Sequence, residues 1–312
     1  MDKVLVAKTS FKKISTWQKV KRNKIYYSMI APFMIVFTIF TVVPVLMSFL
    51  LSFTSFDMLQ TPKFIGLKNY IDLFLNDEVF LIALKNTLIL ALITGPVSYI
   101  MAFVFAWMIN ELSPKIRWLM VLIFYAPSIS GSAYLLWLLI FSSDMYGILN
   151  AFLINLNIIS SPILWLDTPK YALPILIIVQ LWLSLGVSFL AFIAGLQTVD
   201  RTLYEVAAVD GIRNRWQELW YITLPQMKSQ LMFGAVMQIT NSLGIGIVSV
   251  YLLGFPSVEY SGHTIVTHLM DFGSVNSTRL EMGYASAIAT ILFVMMLGSN
   301  LLIQKLIRRV GT

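Results

Sequence analysis

The chain has 312 residues, 58% hydrophobic and 12% charged, with a formal net charge of +7 and no cysteine. Soluble domains run nearer half apolar and a quarter charged, so an ordinary soluble domain is excluded, and the missing cysteines exclude disulfide frameworks and thiolate metal sites. The positive charge lies outside the apolar blocks, which is the pattern of a membrane protein rather than of a nucleic-acid binder.

In chain order, residues 1–25 form a basic N-terminal segment. It places Phe11, Ile14 and Trp17 three apart among lysines. Two readings stand side by side: an amphipathic helix on the inner leaflet, and a solvated basic tail against acidic headgroups. From Tyr26 to Phe53 no charge occurs. That run exceeds the ~7–15 residues of a secretory h-region and has no clear small-residue cleavage site, so it reads as a retained first span. Five further runs approach the ~20 apolar residues needed to cross a bilayer, at 83–109, 118–141, 171–197, 231–253 and 282–304. In lipid such spans must be helices, because every backbone group has to be paired internally. Pro32, Pro44, Pro96, Pro127 and Pro174 fall inside them and invite kinks. The expected fold is an all-α membrane protein: one six-helix domain over 26–307, a helix-turn-helix loop at 198–228, and a tail at 308–312. An apolar patch at Ile148–Ile159 is too short to span and reads as an interfacial or re-entrant helix.

Seventeen lysines and arginines fall on the side holding both termini, the 110–117 turn and the 198–230 loop, against five on the other. Positive charge stays inside, so both termini and that loop are expected in the cytoplasm.

The 198–230 segment is the most informative. Thr202 and Glu205 have capping-box spacing, which predicts a helix start there. Gly211 stands where a left-handed residue is needed. Asn214, with Gln217 three residues on, can cap a second helix. Trp216, Leu219 and Trp220 would share one of its faces, the tryptophans also being suited to headgroup anchoring. Pro225 marks a break before the fifth span.

Glu205-Val206-Ala207, then Gly211, then Ile222-Thr223-Leu224-Pro225 resemble the EAA loop of ABC importer permeases. The Tyr204-Glu205-x-Ala207-x-x-Asp210-Gly211 wording, the six spans and the basic N-terminus are similar to the carbohydrate branch, the maltose and multiple-sugar type. Val206 stands where the family usually has alanine, and ten residues separate Gly211 from Ile222 where the family has nine. The resemblance implies a type I importer permease in the bacterial inner membrane. Its loop would dock into a groove on a separate ATPase through Glu205, Ala207, Ala208, Gly211, Leu224 and Pro225. It further implies a second permease subunit, often non-identical, two cytoplasmic ATPases, an external solute-binding protein and a carbohydrate substrate. ATP and Mg would sit on the ATPases; this chain would bind no cofactor and would not be an enzyme.

No G-x-x-x-x-G-K-[ST] motif is present, so no Walker A loop binds ATP here. His263 and His268 lie five apart, a spacing that does not put two ligands on one helix face. Gly244 and Gly246 fall inside the fifth span, as a packing or hinge device. The spans carry no ionisable group except at edges such as Lys85, unlike ion-coupled carriers. Polar groups at depth are Asn86, Tyr99, Gln180, Trp182, Ser184, Gln238, Asn241 and Ser242. Amides and aromatic faces suit sugars, which makes Gln238, Asn241, Ser242, Tyr99 and Trp182 pathway candidates; the plainer role is helix-to-helix bonding. Rival functions are a permease of the same fold for another solute, such as polyamine or glycerol-phosphate, and a secondary carrier or scaffold.

Overall fold

The computed structural model describes residues 21–274 and 280–309. The candidate amphipathic stretch at Phe11, Ile14 and Trp17 lies outside the described residues.

The chain divides at Leu50 into two units. The first is the helical span Lys24–Leu51, made of α1 (Lys24–Phe37), a π turn at Thr38–Val42 and α2 (Val43–Leu51). The widened turn comes just before Pro44, whose missing N–H would otherwise shorten the ladder by one bond.

The second unit opens with a two-residue antiparallel pair, β1 (Thr54–Ser55) and β2 (Lys63–Phe64), and the short helix α3 (Lys68–Leu75). Then comes α4 (Glu78–Asn110), 33 residues long and therefore ~50 Å from end to end at 1.5 Å per residue. It begins earlier than the apolar run suggests because Asp77 caps it, accepting from the Phe80 N–H at 2.8 Å. Pro96 lies inside it without ending it. Its buried residues Phe80, Ala83, Thr87, Leu90, Thr94, Ser98, Ala102, Ala106 and Ile109 recur every three or four positions as one stripe. The Thr87 and Thr94 hydroxyls donate to the carbonyls four residues back, each at 2.8 Å, so these polar side chains are satisfied inside the helix.

The third span is not one helix. α5 (Pro114–Ile129) and α6 (Leu135–Ile140) are separated by turns at 130–134. Pro127, followed by the Ser130-Gly131-Ser132 run, ends α5. The patch at Ile148 becomes the eight-residue α7 (Ile148–Asn155). Its buried Asn150 donates to the carbonyls of Ser142, Asp144 and Ile163 and accepts from Trp165 Nε1, stitching that loop together.

α8 (Pro169–Leu183) and α9 (Val187–Thr198) make the fourth span around a break at 184–186. α10 (Arg201–Val209), α11 (Arg215–Glu218), a π turn at Leu219–Thr223 and α12 (Leu224–Gln226) form the loop. α13 (Lys228–Leu243) and α14 (Ile247–Leu253) follow, bent by 43° at the Gly244–Gly246 hinge. A side chain at Gly246 would collide with Val266, so hinge and close packing coincide there. α15 (Ile265–Gly273) and the last span α16 (Met282–Arg309) complete the chain.

Of the six expected spans, four are long apolar helices among the described residues, a fifth is the bent pair α13–α14, and the third is split. α4 is central. It contributes Ala102, Phe103, Ala106 and Ile109 to one apolar cluster with α9 and the loop. It contributes Leu90 to a second with α8 and α14, and Phe80 to a third with α15 and α16. Small residues let its neighbours come close: a Cβ at Gly95 would touch Ser242 Oγ at 3.3 Å, and one at Gly234 would strike Phe192.

Candidate functional site

The 199–228 loop presents a short exposed helix on a fixed base. Asp200, not Thr202, caps α10: its carboxylate accepts from the Thr202 N–H at 3.0 Å and is held below the usual carboxylate range chiefly by that bond. The expected Thr202–Glu205 capping box does not form, because the carboxylate two residues earlier takes the Thr202 N–H and starts the helix there. Glu205 is therefore released from capping. It is exposed and has no hydrogen-bond or ion-pair partner among the described residues. Ala207 faces inward, whereas Ala208 is exposed. Val206 and Val209 are 58% and 88% exposed. Val206 and Val209 thus leave apolar area in solvent beside an exposed carboxylate.

Gly211 turns the chain at φ +96°, a conformation that costs other residues steric strain. Asn214 accepts from the Gln217 N–H at 2.8 Å, and the Gln217 carbonyl accepts from the Arg213 N–H at 3.0 Å. The second arm then widens into its π turn. An i→i+5 turn holds one residue more than an α turn, which accommodates the tenth residue between Gly211 and Ile222. The three residues expected to share a face do not. Leu219 is buried with Ile222, while Trp216 and Trp220 remain exposed. Leu224 packs against the same apolar cluster as Leu219, and Pro225 is exposed at the start of α12.

The base is tied to the end of α4. Arg215 pairs with Glu111 at 2.9 Å and Glu218 at 3.0 Å, and the Trp107 and Trp216 rings lie 5.3 Å apart. Arg117 donates to the Asn110 and Leu112 carbonyls at 2.8 and 3.1 Å, closing the C-terminus of α4. Between loop and helix end lies a cleft of about 730 Å³ lined by Glu111, Arg117, Arg201, Glu205 and Arg215 among others.

Tyr99, Gln238 and Ser242 line one largely apolar groove of about 460 Å³ with Gly95 and Pro96. The Gln238 amide is buried and donates to Ser184 O at 3.1 Å and Ser188 Oγ at 2.7 Å, pairing backbone at the α8–α9 break. Asn241 is exposed. Trp182 lies apart from this groove, edge-on to Trp137 at 5.7 Å.

At the far end of α4 a buried polar cluster gathers that the sequence spacing hides. His263 Nε2 meets His268 Nδ1 at 3.3 Å, and His268 Nε2 meets Asp77 at 3.0 Å. The Tyr284 hydroxyl donates to Asp77 at 2.9 Å. The two histidines come together because His263 precedes α15 instead of lying on it. Burial alone would raise the Asp77 carboxyl, but the bonds from His268, the Phe80 N–H and Tyr284 together hold it at about 2. Burial, reinforced by His268, pushes His263 down to about 4. Asn86 donates to the carbonyls of Tyr260, Ser261 and His263. An Asp before an apolar run was the signal for the earlier start of α4; nothing local pointed to its distant partners.

Residues 110–312 match the family described as binding-protein-dependent transport system inner membrane component. The chain is 35% identical to the probable ABC transporter permease protein YesP of Bacillus subtilis over 277 residues, covering 88% of this chain and 87% of that one. It is 34% identical to the lactose transport system permease protein LacF of Rhizobium radiobacter over 220 residues, 69% and 70% of the two chains. A solved bacterial alginate ABC transporter, in complex with an alginate pentasaccharide-bound periplasmic protein, matches with TM-score 0.76 and 26% identity over 95% of this chain and 98% of that one.

Proposed function

Since the chain belongs to the family of binding-protein-dependent transport inner membrane components, we propose that it is a membrane-spanning subunit of an ATP-driven carbohydrate importer, with α10 as the knob that a cytoplasmic ATPase grips. The observation that carries this reading is the exposed Glu205–Val206–Val209 surface, turned out by Gly211 and mounted on a buried base.

The physical requirement is a rigid connector, because a subunit with no nucleotide site receives its motion from outside. Val206 and Val209 supply apolar area, and Glu205 supplies a charge for basic or amide groups on the partner. Both termini and this loop face the cytoplasm by the charge count. A second permease subunit supplies the rest of the pathway, two ATPases carry ATP and Mg, and an external binding protein delivers the solute. The subunit itself performs no chemistry. Sugar is favoured because LacF is named for lactose and the solved transporter for alginate, and because groups at depth are amides, hydroxyls and aromatics without a cation. The absence of cations argues for a neutral oligosaccharide.

The test is co-purification of the ATPase with the assembled transporter, followed by uptake into vesicles of a neutral oligosaccharide panel and an anionic one. Glu205→Lys with Val209→Asp is expected to lower the bound ATPase at least tenfold. Undiminished binding removes α10 as the docking element, and preferential uptake of the anionic panel removes the neutral sugar.

A further inference from the structure

Among the described residues α4 reaches both the 199–228 loop and the polar cluster, and the proposed function uses only its loop end. That loop end is held by the Arg215–Glu111 pair, the Trp107–Trp216 contact, and the packing of Leu219 and Met227 against Ala102, Ala106 and Ile109. The far end is held by hydrogen bonds that are partly or fully buried. Asp77 accepts from Phe80 N–H, His268 and Tyr284. Asn86 binds three carbonyls of residues 260–263, and the Thr87 hydroxyl accepts from the Ile265 N–H at 2.9 Å.

Both ends are held. Satisfied, largely buried hydrogen bonds are costly to open at the far end, and at the loop end the buried packing of Leu219 and Met227 does the holding, the solvated Arg215–Glu111 pair, with 63% and 44% of its side chains exposed, contributing little. A displacement entering at residues 257–273 therefore carries α4 with it and is expressed at the loop. By the reciprocity of linkage, a displacement of the loop returns to residues 257–273.

We propose that Asp77 and Asn86 are positioning residues that clamp the 257–273 segment to α4, so that α4 transmits motion between that segment and the ATPase-docking loop. This rests on the importer reading. Spatial continuity alone does not demonstrate coupling, so the test must read motion at one end while the other is driven.

The chain has no cysteine, which makes it a clean background for one reporter. Val258→Cys places a thiol on an exposed site of the segment. In the complete transporter, with its partner subunits cysteine-free, the rate of maleimide labelling is measured at rest and after trapping the ATPases with ATP and vanadate. The expected result is at least a fivefold difference between the two states. In Asp77→Asn and Asn86→Ala the difference falls below twofold while the ATPases still assemble and trap. The milder Tyr284→Phe, which keeps the ring packing and removes one bond to Asp77, gives an intermediate ratio. A labelling ratio in Asp77→Asn and Asn86→Ala equal to that of the unsubstituted background overturns the clamp, as does a background ratio of one. Loss of trapping in parallel with loss of the ratio also overturns it, since a merely structural role predicts that. If no ATPase assembles on the unsubstituted chain, the importer reading fails first and takes the clamp with it.

Discussion

The two ends of α4 solve opposite problems. At the loop end, apolar side chains and a free carboxylate stand in solvent: Val206, Val209, Trp220 and Glu205. At the far end, Asn86, His263 and His268 are buried and Asp77 half-buried, all bonded to one another or to backbone. A surface that leaves apolar area exposed is incomplete alone and waits for a partner. A polar cluster that satisfies itself fixes the shape of its own chain.

The comparison is broken most directly by Asn86→Leu. Three carbonyls lose their donor, and each unsatisfied buried group costs ~1–3 kcal/mol. We expect about 3 kcal/mol of destabilisation, read as a lowered thermal midpoint in detergent; an unchanged midpoint would mean that the far end is not the structural one. Next is acidification. His263 has a folded pKa near 4 against an ordinary 6.5, so protonation favours the unfolded chain and stability declines as pH drops from about 6.5 toward 4. Asp77 works in a lower window: its contribution persists above the ordinary 3.8 and is lost as pH approaches 2. Thermal midpoints across pH should show the first decline, and His263→Gln should flatten it. Gly211→Val forces a β-branched residue into a left-handed turn at about 1–3 kcal/mol. It should reduce ATPase capture more than it lowers the thermal midpoint. The smallest effect is expected of Arg215→Gln, within about 1 kcal/mol in a thermal scan, because the pair it breaks is solvated.

Much of this was legible in the sequence. Hydropathy located the spans because a bilayer imposes a length on them, and the turn and second cap of the 199–228 loop were readable because Gly211 and Asn214 act on near neighbours. The interior of the far end was not. Asn86 meets residues 174 to 177 positions away, and Asp77 meets Tyr284 across 207. No local pattern encodes such pairings. Thr202 failed as a cap for a different reason, competition from Asp200 two residues earlier. The third span failed as a single helix because hydropathy averages over Ser130-Gly131-Ser132, where the backbone turns.

The bend at Gly244–Gly246 bears on how this segment crosses a bilayer. Neither α13, with 16 residues, nor α14, with 7, reaches the ~20 needed to cross a bilayer alone. The Ile245 carbonyl at the bend is bonded by the Thr264 hydroxyl, which is synthesised nineteen residues later. The two helices therefore make a span only as a pair, and the carbonyl at their bend is satisfied from outside that pair.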